Sequence, residues 1–455
     1  MRDFLPTEVR RREYVIRVIK EVYERYGFEP LETPAVENIE TLLGKYGEEG
    51  NQLIFKILRR GEHEKTGEAD LALRYDLTVP LARVVAEYGD KLPKFFKRYQ
   101  IQPVWRADRP ARGRYREFHQ CDVDVVGTRS MTVEAELCAA AGDALTALGF
   151  NDFTIRLNHR QVLAGVLAQA GIPEEKHADA LVALDKLDKV GVEGVAKELA
   201  QRGVGDEAGV KLLRFFDGLK DLDRAAEIVG DGEASNEARN KATLGRLVEF
   251  VNPHEAGARG CEELRQVLQY AEASGVGERV ALDPSLARGL SYYTGAIMEI
   301  SVPDLAGSLG GGGRYDNLVG MFSGKDIPAA GFSLGLERII VVMSERGMFP
   351  ESLVGANADV LVTVWDEESV EASLALAREL RAAGLRVELY PEADKVGKQF
   401  KYASSRGVPF VVVAGPEERG RGEVALKDMR TGEQRAVRAE HAGEAVREAL
   451  GKAGD

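Results

Sequence analysis

The sequence predicts a three-part α/β chain: a mixed helix-and-strand unit, an all-helical segment set into it, and a mainly parallel α/β unit after them. Three observations predict this. From about residue 172 to 250, Ala, Leu, Lys, Asp and Glu dominate, apolar residues recur at helical spacing, and glycines break the run into segments. Strand signals return at 280–302. After Pro350, strands and helices alternate, as in a parallel sheet with crossover helices. The 455-residue length agrees with roughly three domains of about 150 residues.

Residues 7–27 open the chain as an amphipathic helix. Val15, Val18, Ile19, Val22 and Tyr26 share a stripe, and Gly27 supplies the stop. An extended stretch with two prolines runs from Phe28 to Val36. Leu71 to Tyr75 reads as a strand that passes into a helix after Pro80. Residues 94–106 and 117–127 read as two strands joined by a charged loop, with Phe118, Cys121, Val123 and Val125 suited to a half-buried sheet. A long helix covers about 132–148, and Ala330 to Met343 reads as a strand entering a helix. In the C-terminal unit the expected order is a strand from Asp359 to Trp365, a helix from Glu367 stopped by Gly384, a strand from Leu385 to Tyr390, a helix from Lys395 to Arg406 and a strand from Pro409 to Val413.

Composition excludes several classes. Hydrophobic residues make up 44% and charged residues 30%, an ordinary globular balance. The longest apolar runs, such as Ile339 to Met343, are far too short to span a membrane, and the N-terminal residues lack an apolar signal core, so a cytoplasmic protein is expected. Cys121, Cys138 and Cys261 are odd in number and form no Cys-x-x-Cys, which argues against a disulfide framework or a four-cysteine zinc site. Net charge is −13, yet affinity for phosphate follows local charge. Lys94, Lys97, Arg98, Arg106, Arg109, Arg112, Arg114 and Arg116 lie in one stretch opposed only by Asp108, a basic patch suited to a partner bound at one face.

Common nucleotide motifs are missing: there is no Gly-x4-Gly-Lys-Ser/Thr loop, no Gly-x-Gly-x-x-Gly after a strand and no His-Glu-x-x-His. A nucleotide would have to be held by arginines, whose guanidinium binds phosphate oxygens in pairs. Three segments supply them. In Val104-Trp105-Arg106-Ala107-Asp108-Arg109-Pro110, continuing to Asp124, Arg106 ends a strand, an acid follows two residues on, and Phe118 lies beyond a loop. This can hold a phosphate, accept from an adenine amine and stack the base; a solvated charged hairpin has the same spacing. Ala287-Arg288-Gly289-Leu290-Ser291-Tyr292-Tyr293-Thr294-Gly295 reads as a strand with polar groups on both faces, and Gly331 to Arg338 lets a strand and a helix approach a flat ligand; a surface arginine and a helix-start arginine look alike by spacing. The run Gly310-Gly311-Gly312-Gly313-Arg314-Tyr315-Asp316 is either a flexible loop or backbone lying close to a ligand.

Taken together, these segments resemble the class II aminoacyl-tRNA synthetases, and within them the histidyl-tRNA synthetases. The Arg106 segment resembles motif 2 of that class and the Arg338 segment motif 3. Arg288 to Thr294 and Gly310 to Asp316 resemble the two signatures peculiar to the histidine enzymes, and Leu73-Arg74-Tyr75-Asp76-Leu77-Thr78-Val79-Pro80 resembles their amino-acid-binding segment in its eukaryotic-type variant. The resemblance runs nearly end to end, through Leu157-Asn158-His159-Arg160, Leu184 to Lys189 and Lys427 to Gln434. Family members usually carry Asp where this chain has Ser291.

The resemblance implies an α+β class II catalytic domain, an antiparallel sheet flanked by helices, at 1–171 and 252–350. It implies an all-helical insertion at 172–251 and an α/β anticodon-binding domain at 358–455. It implies activation of L-histidine with ATP and Mg2+, transfer to histidine tRNA, and a homodimer made through the N-terminal helix and the strand near Pro34. Catalysis falls to Arg106, Arg288 and Arg338. ATP is met by Arg106, Asp108, Arg114, Phe118 and Arg338; histidine is met by Asp76, Thr78, Gln120, Asp124, Arg288, Tyr292 and Tyr293. No metal held by protein ligands and no catalytic histidine are implied. A histidine-binding regulatory relative without catalysis is the contrasting possibility; such relatives lack the C-terminal domain and lose the catalytic arginines, whereas this chain has both.

Overall fold

Apolar residues three and four apart give α1 (Pro6–Arg25) one buried stripe of Val15, Ile19, Val22 and Tyr23. Pro6 begins it, and the Glu8 carboxylate accepts from the Leu5 N–H at 3.1 Å. The computed structural model describes residues 1–59, 66–184, 186–229, 236–287, 292–350, 353 and 357–451. They fall into two units, Met1–Phe349 and Pro350–Asp455.

In the first unit, α1 is followed by β1 (Glu29–Pro30), β2 (Val36–Asn38), α2 (Ile39–Leu42), α3 (Gly47–Gln52), β3 (Lys56–Leu58), β4 (Ala69–Leu73), α4 (Thr78–Tyr88), β5 (Phe96–Trp105), β6 (Glu117–Val126) and α5 (Thr132–Ala147). Next come β7 (Thr154–His159), α6 (Arg160–Ala170), α7 (His177–Leu184), α8 (Leu187–Gln201), α9 (Asp206–Val229), α10 (Asn236–Val251) and α11 (Glu255–Ala273). The unit closes with β8 (Val280–Leu282), β9 (Ala296–Ser301), β10 (Gly310–Arg314), α12 (Gly320–Ser323), β11 (Ala329–Gly335) and α13 (Leu336–Glu345). Helix α4 starts at Thr78, ahead of the expected start after Pro80. Proline is tolerated there because a first-turn N–H needs no helical partner.

Eight strands form one sheet in the order β1-β5-β6-β11-β10-β9-β7-β8. The outermost pairings, β1 with β5 and β7 with β8, are parallel; those between are antiparallel. Side chains alternate across a strand, so the sheet has two faces of different chemistry. Tyr99, Cys121, Val123, Val125, Met298, Ile300, Phe332 and Leu334 join Val15, Ile19, Leu137, Leu264 and Val267 of α1, α5 and α11 in the main core. Each such fully buried aliphatic side chain contributes about 1.5–3 kcal/mol. Ala183, Val195, Leu212 and Leu247 of α7 to α10 belong to the same core. The opposite face is polar and glycine-rich: Arg98, Gln100 and Gln102 on β5 pair in register with Asp124, Asp122 and Gln120 on β6, which pair in turn with Gly331, Ser333 and Gly335 on β11.

Two expectations are corrected here. Tyr292 and Tyr293 are not in a strand, since β9 begins at Ala296; the backbone before it is drawn to the end of β10, where the Thr294 N–H donates to the Arg314 carbonyl at 2.8 Å. The C-terminal sheet is mixed and not mainly parallel. That unit contains β12 (Val360–Val362), α14 (Val370–Ala382), β13 (Val387–Leu389), α15 (Val396–Ser405), β14 (Phe410–Val413), α16 (Pro416–Arg421), β15 (Glu423–Asp428), β16 (Gln434–Arg438) and α17 (Ala442–Ala449). Its order is β13-β12-β14-β15-β16; β12 is parallel to both neighbours, but β14 with β15 and β15 with β16 are antiparallel. A tight turn joins the last two strands, with Gly432 at φ 83°, and so direct a connection can only make an antiparallel pair.

Candidate active site

The polar face of the sheet is the floor of the site. Asp122 and Asp124 are each 2% exposed and flank the fully buried Arg98 guanidinium. Arg98 Nη2 lies 2.9 Å from Asp124 Oδ2 and 3.8 Å from Asp122 Oδ2, and it donates to the Leu77 carbonyl at 3.2 Å. The Tyr315 hydroxyl donates to Asp124 Oδ1. Burial pushes the Asp122 carboxyl up to about 7, against the pull of Arg98, and the Asp124 charge adds to the rise. Burial raises Asp124 as well, opposed by Arg98 and Tyr315. Arg98 Nε and Nη1, Gln100 Oε1, Gln120 Oε1 and Asp122 Oδ1 are buried and make no hydrogen bond among the described residues, and Asp124 Oδ2 has only its ion pair with Arg98. Buried polar atoms are normally satisfied, so such a concentration on one face marks it as a binding surface.

Asp76 stands beside this floor, just before α4. Its Oδ1 accepts from the Tyr46 hydroxyl at 2.9 Å and the Val79 N–H at 3.0 Å, and its Oδ2 from the Tyr292 hydroxyl at 3.0 Å. Burial raises its pKa, which those bonds and the nearby Arg106 charge oppose. Thr78 lies near the Tyr292 phenol and opposes the burial that raises its pKa. Tyr292 meets Tyr293 edge-on at 5.1 Å between ring centres. The Tyr293 ring lies on the β10 backbone: a β-carbon at Gly313 would sit 2.9 Å from its Cδ1. Burial raises the Tyr293 phenol, and the charges of Asp122, Asp124 and Asp76 reinforce the shift. The glycine run is therefore a strand between two neighbours, kept free of side chains because its neighbours approach so closely.

Arg106 follows the last residue of β5. Its Nε donates to the Tyr75 carbonyl at 3.1 Å, and its guanidinium carbon lies 4.2 Å from the Tyr75 ring centre and 5.2 Å from that of Phe118. The 106–117 connection folds back as a small hairpin in which Ala111 and Arg114 exchange backbone hydrogen bonds of 3.0 and 2.9 Å. The side chain of Arg338 crosses close to Gly113, where a β-carbon would lie 3.1 Å from its Cγ, and its Nη1 donates to the Ser308 carbonyl. Behind the hairpin, Arg12 of α1 donates to Glu337 Oε1 at 2.8 Å and to His119 Nδ1 at 2.9 Å, and the His119 N–H donates to Glu337 Oε2 at 2.9 Å. One buried carboxylate thus joins the first helix, β6 and α13. Burial, with Arg12 and Arg74, lowers the His119 ring to about 4.

The structure thus brings Asp76, Thr78, Arg106, Phe118, Gln120, Asp124, Tyr292 and Tyr293 together along the polar face. Gln120 Nε2 donates to Ser333 Oγ at 3.1 Å. Arg338 and the hairpin carrying Asp108 and Arg114 meet beside β10 and β11. Asp108 is half-buried and accepts from Arg116 Nε through its carbonyl at 3.2 Å; Arg114 is exposed. Arg288 and Ser291 lie outside the described residues. The basic stretch is not one surface patch: Arg98 is fully buried, Lys97 pairs with Glu136 at 2.8 Å, and Arg109, Arg112, Arg114 and Arg116 on the hairpin are the exposed arginines. The sequence reading missed Tyr46, Tyr315, Asp122 and the buried role of Arg98. Alternating polar positions on β5 and β6 were a signal for Arg98 and Asp122; nothing local marks Tyr46.

Residues 1–339 match the histidyl-tRNA synthetase family and residues 357–449 the anticodon binding domain family. The chain is 45% identical to the histidine–tRNA ligase of Gloeobacter violaceus, over 98% of this chain and 97% of that one. It is 41% identical to the histidine–tRNA ligase of Flavobacterium johnsoniae, over 96% and 95%. The crystal structure of histidyl-tRNA synthetase from Nostoc sp. PCC 7120 superposes with a TM-score of 0.77 at 34% identity, covering 99% of this chain and 98% of that one.

Proposed function

This chain belongs to the histidyl-tRNA synthetase family, and from that premise we propose how its side chains divide the joining of histidine to tRNA. The protein is a histidine–tRNA ligase: it activates L-histidine with ATP and transfers the histidyl group to its tRNA. Full-length ligase relatives and the presence of the C-terminal unit favour this over the non-catalytic regulatory reading.

In our reading Asp76, Thr78 and Gln120 hold the α-amino group. A carboxylate offers about four lone-pair sites. Asp76 uses two on Oδ1 and one on Oδ2, which leaves Oδ2 able to take an ammonium. Asp124 and Tyr293 meet the two imidazole nitrogens, an acceptor for the N–H and a phenol for the bare nitrogen, and Tyr292 lines the same pocket. Phe118 stacks on adenine and Asp108 accepts from its amine.

A carboxylate oxygen of histidine attacks the α-phosphorus and pyrophosphate leaves. Charge then builds on the α-phosphate and the leaving group, where fixed guanidinium groups stabilise it with no reorganisation. Arg106 serves the α-phosphate and the histidine carboxylate, Arg288 the opposite side, and Arg338 and Arg114 the outer phosphates. In the second step a terminal ribose hydroxyl of the tRNA attacks the histidyl carbonyl and AMP leaves. Mg2+ would accompany the nucleotide's β- and γ-phosphates and help neutralise their charge.

Residues 172–251 serve as a helical insertion between the catalytic segments 1–171 and 252–350, and 358–455 read the anticodon. The working form is a homodimer built through α1 and the chain near Pro34. No described helix is long and apolar enough to cross a membrane.

The observation that carries the site assignment is the group of buried polar atoms without hydrogen bonds on Arg98, Gln120 and Asp122, beside Asp76, Asp124 and Tyr293. Pyrophosphate exchange with each of the twenty amino acids tests it. Exchange should require histidine and magnesium-ATP; equal exchange with threonine or proline, or none with any amino acid, overturns the reading.

A further inference from the structure

Arg98 on β5 faces Asp124 on β6 in direct register, and its side chain has no exposed surface. Burying a guanidinium is costly unless charge compensates it, and two carboxylates do so here. The placement is not one that maximises hydrogen bonding, because Nε and Nη1 make none among the described residues. What fixes it is Nη2, which reaches in two directions. One is the carbonyl of Leu77, the residue between Asp76 and Thr78, at 3.2 Å; the other is Asp124 Oδ2, at 2.9 Å. Tyr315 holds the second oxygen of Asp124. With Oδ1 bonded by a phenol and Oδ2 paired with Arg98, rotation of the carboxylate group is blocked.

We propose that Arg98 is a positioning residue for histidine recognition, setting the spacing between Asp124, which meets the ring, and the Asp76–Thr78 segment, which meets the amino group. The proposal rests on the assignment of those residues to the two ends of histidine. One guanidinium spans both ends, so moving it changes the separation the amino acid must match and leaves the phosphate contacts of Arg106 and Arg338 in place. Lysine in its place keeps the charge beside Asp124 but presents one compact ammonium on a shorter reach. It therefore holds one end and releases the other.

The test is steady-state pyrophosphate exchange on the full-length enzyme carrying Arg98→Lys, Arg98→Met or the control Asp124→Asn, with thermal unfolding of each. Arg98→Met should raise the histidine KM by about thirtyfold or more with the ATP KM within about threefold, and Arg98→Lys should fall between it and wild type. A residue that merely supports the fold would shift both KM values and the melting temperature together, and that outcome overturns the proposal. Should Arg98→Met fail to fold, Arg98→Met with Asp122→Asn removes a buried carboxylate along with the cation, and the same split is required of it and of Arg98→Lys. A histidine KM unmoved in the Arg98 variants while Asp124→Asn raises it sinks the positioning role alone. A histidine KM unmoved even in Asp124→Asn sinks the assignment of Asp124 to the ring, and the proposal with it.

Discussion

The carboxylate of Asp124 occupies the space where Gly331, its register partner on β11, would carry a β-carbon. A β-carbon there would also lie 3.0 Å from the Val123 carbonyl, so neither the side chain nor the backbone has room for it. Arg98 and Tyr315 hold the carboxylate from two sides, which prevents it from swinging clear. Gly331→Ala should therefore displace Asp124 and raise the histidine KM by about thirtyfold or more, with an overpacking cost of about 1–3 kcal/mol in stability. Exchange kinetics and thermal melts check this. A variant with wild-type histidine KM would show that Asp124 does not depend on this close contact.

Arg106 lies over Tyr75 and Phe118, where its orientation is fixed before any nucleotide arrives. A preorganised charge of this kind contributes about 3 kcal/mol to a transition state that builds negative charge. Arg106→Ala and, from its place in the arginine–tyrosine signature, Arg288→Ala should each slow adenylate formation by about 100-fold in a single-turnover measurement. A loss under about tenfold in either would remove that residue from the catalytic role.

The order of helices and strands was legible because each depends on local periodicity, and the Asp76, Arg106, Phe118 and Arg338 segments could be found because their motifs are contiguous. What was not legible is non-local. β11 lies between β6 and β10 although about two hundred residues separate it from β6 in the chain, and no spacing rule announces that pairing. Arg98 counted as one more surface cation by composition; only the register of β5 with β6 reveals two aspartates beside it. Tyr46 reaches Asp76 from a loop 30 residues upstream, with nothing in its neighbours to mark it. In the C-terminal unit the expected strands end at Val413, and the β15–β16 hairpin that makes the sheet mixed lies beyond them.

His119 supplies a pH test. Burial and the charges of Arg12 and Arg74 lower its ring to about 4, from about 6.5 in an unfolded chain, and Glu337 is the acid packed beside it. A depressed histidine pKa means the unfolded chain binds the extra proton first. Its contribution to stability is therefore complete above about pH 6.5 and is lost as pH falls toward 4. The full shift would be worth about 3 kcal/mol, and a ring 27% exposed should give about half of that. His119→Gln, which keeps an acceptor for Arg12, should melt below wild type at pH 7.5, and the gap should close as the pH is lowered to 4.5. A gap independent of pH would show that the ring titrates normally.

Residues 350–455 form a unit with cores of their own, around Val360, Leu380, Phe410 and Val446 on one face of its sheet and Leu361, Ala403 and Val411 on the other. None of the adenylation residues assigned above lies in it. An enzyme ending at Phe349 should therefore keep histidine-dependent pyrophosphate exchange within about tenfold of wild type, while the KM for tRNA in charging rises by about 100-fold or more. Measuring both activities on one preparation separates the outcomes. Charging with an unchanged tRNA KM would remove the C-terminal unit from tRNA recognition. Loss of exchange together with charging, in a protein that still melts cooperatively, would instead show that adenylation depends on residues beyond Phe349 and that the division of labour between the two units is wrong.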